Sequence, residues 1–374
     1  MAERSKQGQP DWWLLIATLI LISIGIIMVF SSSQYFAQYK PYYDPYYFLK
    51  SQIINAAVGA VAMVAAYKVN YFVYRRVSYP VFGIVIGLLL FMLLSSQIET
   101  IGGAQRWLAI GGFSFQPSEL AKIALPMALA KFIYTHQDDI ADLKRGFLPC
   151  IVMIGATTLM ILGQKDLSSS LVVASAGAII MLAAGVRMRY FVALCGAGLA
   201  AVVGAIAMEP YRLERVYAWF DPWAYSSDEG WQTVQSLMAI GSGGFSGVGL
   251  GSGGSKWYYL PERHTDFIFS VTCEELGFIG AVCMVLLIMF ILWRGVMIAV
   301  KVPNLYASLL SLGITASLSV QSLINLGVCT GLLPVTGVTL PFVSYGGTSL
   351  VISMTMIGML LNMSRYINKY SNKA

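Results

Sequence analysis

Long apolar stretches dominate the chain, and polar residues are gathered into the short breaks between them. Stretches near 12 to 32, 52 to 68, 78 to 96, 118 to 135, 147 to 163, 168 to 186, 190 to 208, 267 to 293, 303 to 328 and 347 to 364 come close to the roughly 20 residues that carry a helix across hydrocarbon. Backbone N–H and C=O groups are not left unpaired in lipid, so such stretches predict helices packed as a bundle. The pattern predicts an all-α polytopic membrane protein of ten transmembrane helices. A single domain covers 1–374, with one long loop, from about 209 to 266, between helices 7 and 8. No tandem repeat, heptad array or low-complexity tail divides it. The first apolar stretch is too long for a cleavable leader and runs straight into further spans.

The long loop mixes aromatic residues (Tyr217, Trp219, Trp223, Tyr225, Trp231, Trp257, Tyr258, Tyr259) with a glycine run from Gly241 to Gly254. That composition predicts a segment lying on the membrane surface. Within it, Trp231 to Ile240 reads as a short interfacial helix, with Trp231, Val234, Leu237 and Met238 on one face and Gln232, Gln235 and Ser236 towards another.

Composition agrees with a lipid solvent: 57% of the 374 residues are hydrophobic and 11% charged, against roughly a quarter charged in soluble domains. The net charge of +6 would suggest nucleic acid in a soluble protein, but here the cations mark sidedness. Arg4, Lys6, Lys68, Arg75, Arg76, Lys144, Arg145, Arg187, Arg189, Arg294, Lys301, Arg365, Lys369 and Lys373 fall in alternate connections, which the positive-inside rule makes cytoplasmic. Both termini are then inside, the 209–266 loop is outside, and no nucleic-acid partner is expected. The five cysteines show no CxxC spacing and read as small core residues.

The acidic residues number 18 with Asp and Glu together, few enough to weigh singly. Asp266 ranks first, because Leu260-Pro261-Glu262-Arg263-His264-Thr265-Asp266-Phe267 runs from polar residues directly into a membrane helix. A carboxylate at the lip of the bilayer is a functional candidate, or else the cap of a helix starting at Phe267. Glu119 and Lys122, at i and i+3, share a helix face as a functional pair near the lipid or as a structural ion pair that locks helices. Asp166 reads as a helix cap or an outer-face acid. Arg106 either holds an anionic substrate or snorkels to the interface. Glu274 and Glu275 fit a helix–helix hydrogen bond better than chemistry. The Pro- and Gly-rich run from Leu333 to Ser349 breaks the helical pattern and predicts irregular backbone lining a polar cavity.

Four segments together resemble the SEDS family (shape, elongation, division and sporulation): Gln116-Pro117-Ser118-Glu119-Leu120-Ala121-Lys122, Gln235 to Gly244, Leu260 to Phe269, and Leu340-Pro341-Phe342-Val343-Ser344-Tyr345-Gly346-Gly347. Around Trp257 to Leu260 and Asp11 to Ser33 the chain stands closer to the FtsW and SpoVE branch than to RodA. The resemblance implies a bacterial cytoplasmic-membrane glycosyltransferase that polymerises lipid II, an undecaprenyl-diphosphate-linked disaccharide peptide. It also implies a class B penicillin-binding transpeptidase as partner, in division, shape or sporulation.

Asp266 is then the essential carboxylate and the catalytic base, and Glu119, Lys122 and Asp166 are functionally important. Lys165 and Ser168-Ser169 depart from the RodA-like pattern around Asp166. The remaining substrate-binding candidates are Arg106, Gln235, Ser242, Glu262, His264, Thr265, Ser344 and Tyr345. The reaction needs a base for the acceptor hydroxyl and a positive group for the departing diphosphate. Arg106, Lys165, Arg263 or a divalent cation (Mg or Mn) are the alternatives for the second role; no cofactor is otherwise expected. A lipid II flippase is the rival reading, and a catalytically silent scaffold a third.

Overall fold

The computed structural model describes residues 8–39, 41–95, 107–110, 113–208, 210–228, 230–254 and 260–367. Arg106, Lys40 and the Trp257-Tyr258-Tyr259 run lie outside the described residues. Each of the ten apolar stretches folds as a helix: α1 (Trp12–Ala37), α2 (Tyr47–Lys68), α3 (Tyr71–Leu94), α4 (Pro117–Thr135), α5 (Leu148–Gly163), α6 (Leu167–Ala183), α7 (Met188–Ala207), α10 (Ile268–Lys301), α11 (Leu305–Cys329) and α12 (Gly347–Ser364). Between α7 and α10 come α8 (Pro210–Phe220) and α9 (Trp231–Ser242).

By length and composition, α1, α2, α3, Leu143–Gly163, α10, α11 and α12 can each cross a membrane, while α6 and α7 contribute shorter apolar helices. The fold is helical as expected, with one addition: strands β1 (Leu108–Ile110) and β2 (Phe113–Phe115) pair antiparallel before α4.

The starts follow from local chemistry. Asp11 caps α1 by accepting from the Leu14 amide at 3.1 Å, and its second oxygen takes Arg294 of α10 at 2.5 Å. Asn70 caps α3 and Asn304 caps α11 in the same way, satisfying amides that the helix itself leaves unpaired. The α3 helix begins earlier than hydropathy suggests because Arg75 and Arg76 interrupt the apolar pattern and not the backbone.

Helices α11 and α12 sit at the centre, with α12 against α2, α4 and α11, and α11 against α4, α6 and α10. Outer faces carry large apolar side chains such as Val61 (72% exposed) and Ile84 (63%), which is the arrangement lipid requires. Gly25 on α1 allows close approach of the irregular run ahead of α12: a Cβ there would lie 2.5 Å from the Phe342 carbonyl oxygen.

One helix is broken. Gly277, inside α10, adopts φ 67° and ψ −168°, a conformation open to glycine and strained for other residues. The glycine run does not simply lie on the surface but docks onto this break. Val248 and Gly249 amides donate to the Glu274 and Glu275 carbonyls (3.0 and 3.1 Å), and Phe278 and Ile279 amides donate to the Gly244 and Phe245 carbonyls (3.0 and 3.3 Å). Bonds lost within the helix are thereby replaced from outside it. The two buried glutamates are both hydrogen-bonded: Glu275 accepts from Ser31 of α1 at 2.5 Å, and Glu274 from the Gly254 amide at 2.6 Å.

Candidate functional site

Asp266 occupies a tight turn at the start of α10. Glu262, at φ 47°, directs its carbonyl at three successive amides, those of Thr265, Asp266 and Phe267, at 3.0 to 3.2 Å. The helix begins at Ile268 with Phe267 in the capping position, so Asp266 is not its cap. The Asp266 side chain is half-buried, while its carbonyl accepts from Asn325 Nδ2 at 2.7 Å and from Cys329 Sγ at 3.4 Å. The backbone on both sides of the carboxylate is therefore held independently of it.

The run ahead of α12 clamps the same turn. Ser344 Oγ donates to the Thr265 carbonyl at 2.5 Å and accepts from the Leu340 amide at 2.7 Å, and the Tyr345 amide donates to the His264 carbonyl at 2.8 Å. Tyr345 also shares a hydrogen bond with Ser51 of α2 at 3.0 Å. Ser344 and Tyr345, expected as substrate contacts, also bond the turn's backbone. Thr265 Oγ1 donates to the exposed Glu262 carboxylate at 2.9 Å.

His264 lies among Phe48, Tyr345 and Phe36, with ring centroids 4.5, 5.6 and 6.0 Å away. Burial, with a smaller contribution from neighbouring Arg263, depresses its pKa to about 4, so the imidazole is neutral at pH 7. Arg263 was a candidate for the leaving group, but it is 3% exposed, donates from Nε to the Ser32 carbonyl at 3.0 Å and lies over the Phe36 ring. It anchors the turn to α1. Lys165 is exposed, at φ 61°.

A second polar cluster lies beside the first. Lys122 Nζ meets Glu119 Oε1 at 2.6 Å and Gln321 Oε1 at 2.8 Å, all three residues being buried. Gln321 Nε2 donates to the Thr339 carbonyl at 3.0 Å, and Asn325, one turn along α11, donates to the Val338 carbonyl at 2.7 Å. The i, i+4 pair on α11 therefore links both clusters through adjacent carbonyls of one loop.

Asp166 caps α6 through the Ser169 amide at 3.0 Å and accepts from Gln116 Nε2 at 3.1 Å and Ser118 Oγ at 3.4 Å. It both caps and joins the group. Gln321, Asn325, Gln116 and Ser118 were missed as site residues; for the α11 pair, amides spaced i, i+4 on an apolar helix were the available signal.

Gln235 and Ser242 lie on α9. Ser242 is exposed, with its hydroxyl turned back to the Ala239 carbonyl, and Gln235 is half-buried. The buried face of α9 is Thr233, Val234, Ser236 and Ala239, which shares only Val234 with the face the apolar positions suggest. Ser236 accounts for the difference, since it reaches Ser270 Oγ and the Cys329 carbonyl, both at 2.6 Å.

These contacts bring the N-termini of α4, α6, α10 and α12 to one end of the bundle. Gln116, before α4, touches both Asp166 and Thr348, and Tyr345, before α12, bonds the turn before α10. Helix N-termini present unpaired amides and partial positive charge. Among the described residues no group of three or more His, Cys, Asp or Glu could hold a metal ion.

Fold and site together define a multi-pass helical membrane protein whose polar groups converge at one end of the bundle. Residues 12–369 match the FtsW/RodA/SpoVE family, described as "Cell cycle protein". The chain is 41% identical to Stage V sporulation protein E of Bacillus subtilis over 97% of its own length and 99% of that protein's. It is 38% identical to the probable peptidoglycan glycosyltransferase FtsW of Geobacter sp. (strain M18), over 95% and 96%.

Among solved structures, a chain from a peptidoglycan synthase complex in which polymerization and crosslinking are coordinated superposes with a TM-score of 0.80 at 29% identity, covering 97% and 99%. Rod shape determining protein RodA of Thermus thermophilus superposes with 0.70 at 26% identity, covering 96% and 98%. This chain belongs to the FtsW/RodA/SpoVE family.

Proposed function

We propose that the chain is a peptidoglycan glycosyltransferase that polymerises lipid II at the outer face of the cytoplasmic membrane, with Asp266 as general base. The observation that carries this reading is the half-buried Asp266 carboxylate, on a turn whose backbone is fixed by Glu262, Asn325 and Ser344, at the end where four helix N-termini gather. The similarity to proteins named peptidoglycan glycosyltransferase supports the same substrate class.

Asp266 takes the proton of the acceptor sugar hydroxyl as that oxygen attacks the anomeric carbon of the donor. The bond to diphosphate breaks with inversion. Diphosphate is a good leaving group and departs without protonation, its charge stabilised by helix N-terminal amides and by Lys165. A divalent cation bound here would draw on one or two carboxylates and take its remaining oxygens from the diphosphate and water, a common arrangement for Mg²⁺. The chemistry it would supply is charge neutralisation at the departing diphosphate.

In this reading ten helices span the bilayer, both termini are cytoplasmic, and the connection carrying α8 and α9 is extracytoplasmic. A class B penicillin-binding transpeptidase is the partner, consistent with the synthase complex that the fold resembles.

Purified protein, with that partner where required, should convert lipid II to glycan polymer on a gel. Asp266→Asn should lower the rate by ~10²- to 10⁴-fold, the usual contribution of a general base, while leaving the thermal melt unchanged. Full polymerisation by the Asn variant would remove Asp266 from the role. Movement of lipid II across liposomes without polymer would favour the flippase.

A further inference from the structure

At the end of the bundle opposite Asp266, the start of α3 and the end of α4 enclose an open cavity of ≈ 490 Å³ lined by Phe72, Arg75, Arg76, Lys131, Tyr134 and Thr135. Its volume falls within the range of small-molecule sites. Half of its lining residues are cations. Among the described residues none of the three sits in an ion pair with a carboxylate.

Two of the cations are held in place by rings. The Arg75 guanidinium lies 5.5 Å from the Phe72 ring centroid and 4.9 Å from that of Tyr134, and Lys131 Nζ lies 4.3 Å from the Tyr79 centroid. Such stacking orders a long side chain before any ligand arrives and leaves the guanidinium edge available for bidentate bonds to phosphate oxygens. Beside the cavity, α3 exposes Phe72 (48%), Tyr79 (40%) and Leu90 (40%), which recur on one face of the helix. An apolar surface therefore runs from the charged mouth along the helix.

We infer that this cavity binds the phosphate head group of an anionic glycerophospholipid, whose acyl chains lie along the exposed face of α3. The shared chemistry is a phosphate anion. The lipid source is favoured over soluble phosphate because cation cluster and lipid-facing surface are continuous. Basic pockets at helix ends on the positively charged side of a membrane protein are suited to anionic head groups.

The test is native mass spectrometry of the purified full chain offered phosphatidylglycerol or phosphatidylethanolamine. The wild type should retain phosphatidylglycerol preferentially. The Arg75→Gln/Arg76→Gln/Lys131→Gln variant should lose ~100-fold in that affinity, from about 1 kcal/mol for each cation, and Arg75→Lys/Arg76→Lys, which keeps the charge and loses the fork, should fall between it and the wild type. Displacement of the lipid by excess inorganic phosphate would overturn the lipid assignment, as would equal retention of the two lipids.

Should the triple variant fail to fold, photoreactive phosphatidylglycerol on the wild type decides the matter. Cross-links within 72–76 and 131–135 support the site, and cross-links confined to other helices overturn it.

Discussion

At Asp266 the side chain and its backbone have separate duties. The carboxylate stays half-exposed while amide and carbonyl are both bonded, so a change at the carboxylate leaves the turn's supports in place. His264 is a sensitive part of that turn. Its pKa of about 4 in the folded chain lies below the ordinary value near 6.5. A form in which the turn opens and wets the ring therefore binds a proton more readily. The turn's stability is complete above about pH 6.5 and falls as pH drops towards 4, by up to ~3 kcal/mol for a shift of that size. Protection factors of the 260–267 amides, which are corrected for the slower intrinsic exchange at low pH, should fall between pH 7.5 and pH 5, and His264→Phe should flatten the dependence. Unchanged protection factors in the wild type across that interval would mean that the ring is already solvated.

At the scale of elements, two devices stand out: the broken helix and the buried ion pair. Gly277→Ala would place a Cβ 2.2 Å from the Gly247 amide nitrogen at a φ of 67°. Strain and clash together should cost at least ~2 kcal/mol, read as a lower melting temperature in detergent. A neutral result would mean that α10 runs on unbroken. Glu119→Gln and Lys122→Met should each destabilise by ~3 to 5 kcal/mol by stranding a buried charge, whereas the double variant should cost less than either alone. Additive losses in an unfolding series would show that the pair is not coupled.

At the scale of the molecule, all the polar groups of the candidate site come from helix ends on one side of the bundle, and the cation cavity of α3 and α4 lies on the other. Glu262→Cys and Lys144→Cys, both at exposed positions, give this a direct check in a Cys283→Ser background. A membrane-impermeant thiol reagent applied to intact cells should label position 262 at once and position 144 only after permeabilisation. The reverse pattern would invert the topology and place the proposed chemistry on the wrong face.

Much of this was legible in one dimension because lipid imposes a simple rule: backbone groups must pair within a helix, so hydropathy marks each helix, although α3 and α10 run on past the apolar stretch into polar residues at Tyr71 and Lys301. The ten apolar stretches, the irregular 333–349 run and the position of Asp266 just ahead of a helix follow from that rule, and the amphipathic pattern gave a short helix at 231–240, which the structure extends to Ser242. Long-range pairing is not periodic. Nothing local to the Gly241–Gly254 run says that its amides will complete a helix broken at Gly277, or that Arg263 will turn inward to Ser32. The roles of Gln321 and Asn325 likewise exist only once α11 lies beside the Val338 and Thr339 carbonyls. Sequence determined which segments must be helical and which few charges stand at their ends; tertiary structure decided which of those charges meet, because partners far apart in the chain are selected by packing and hydrogen-bond geometry.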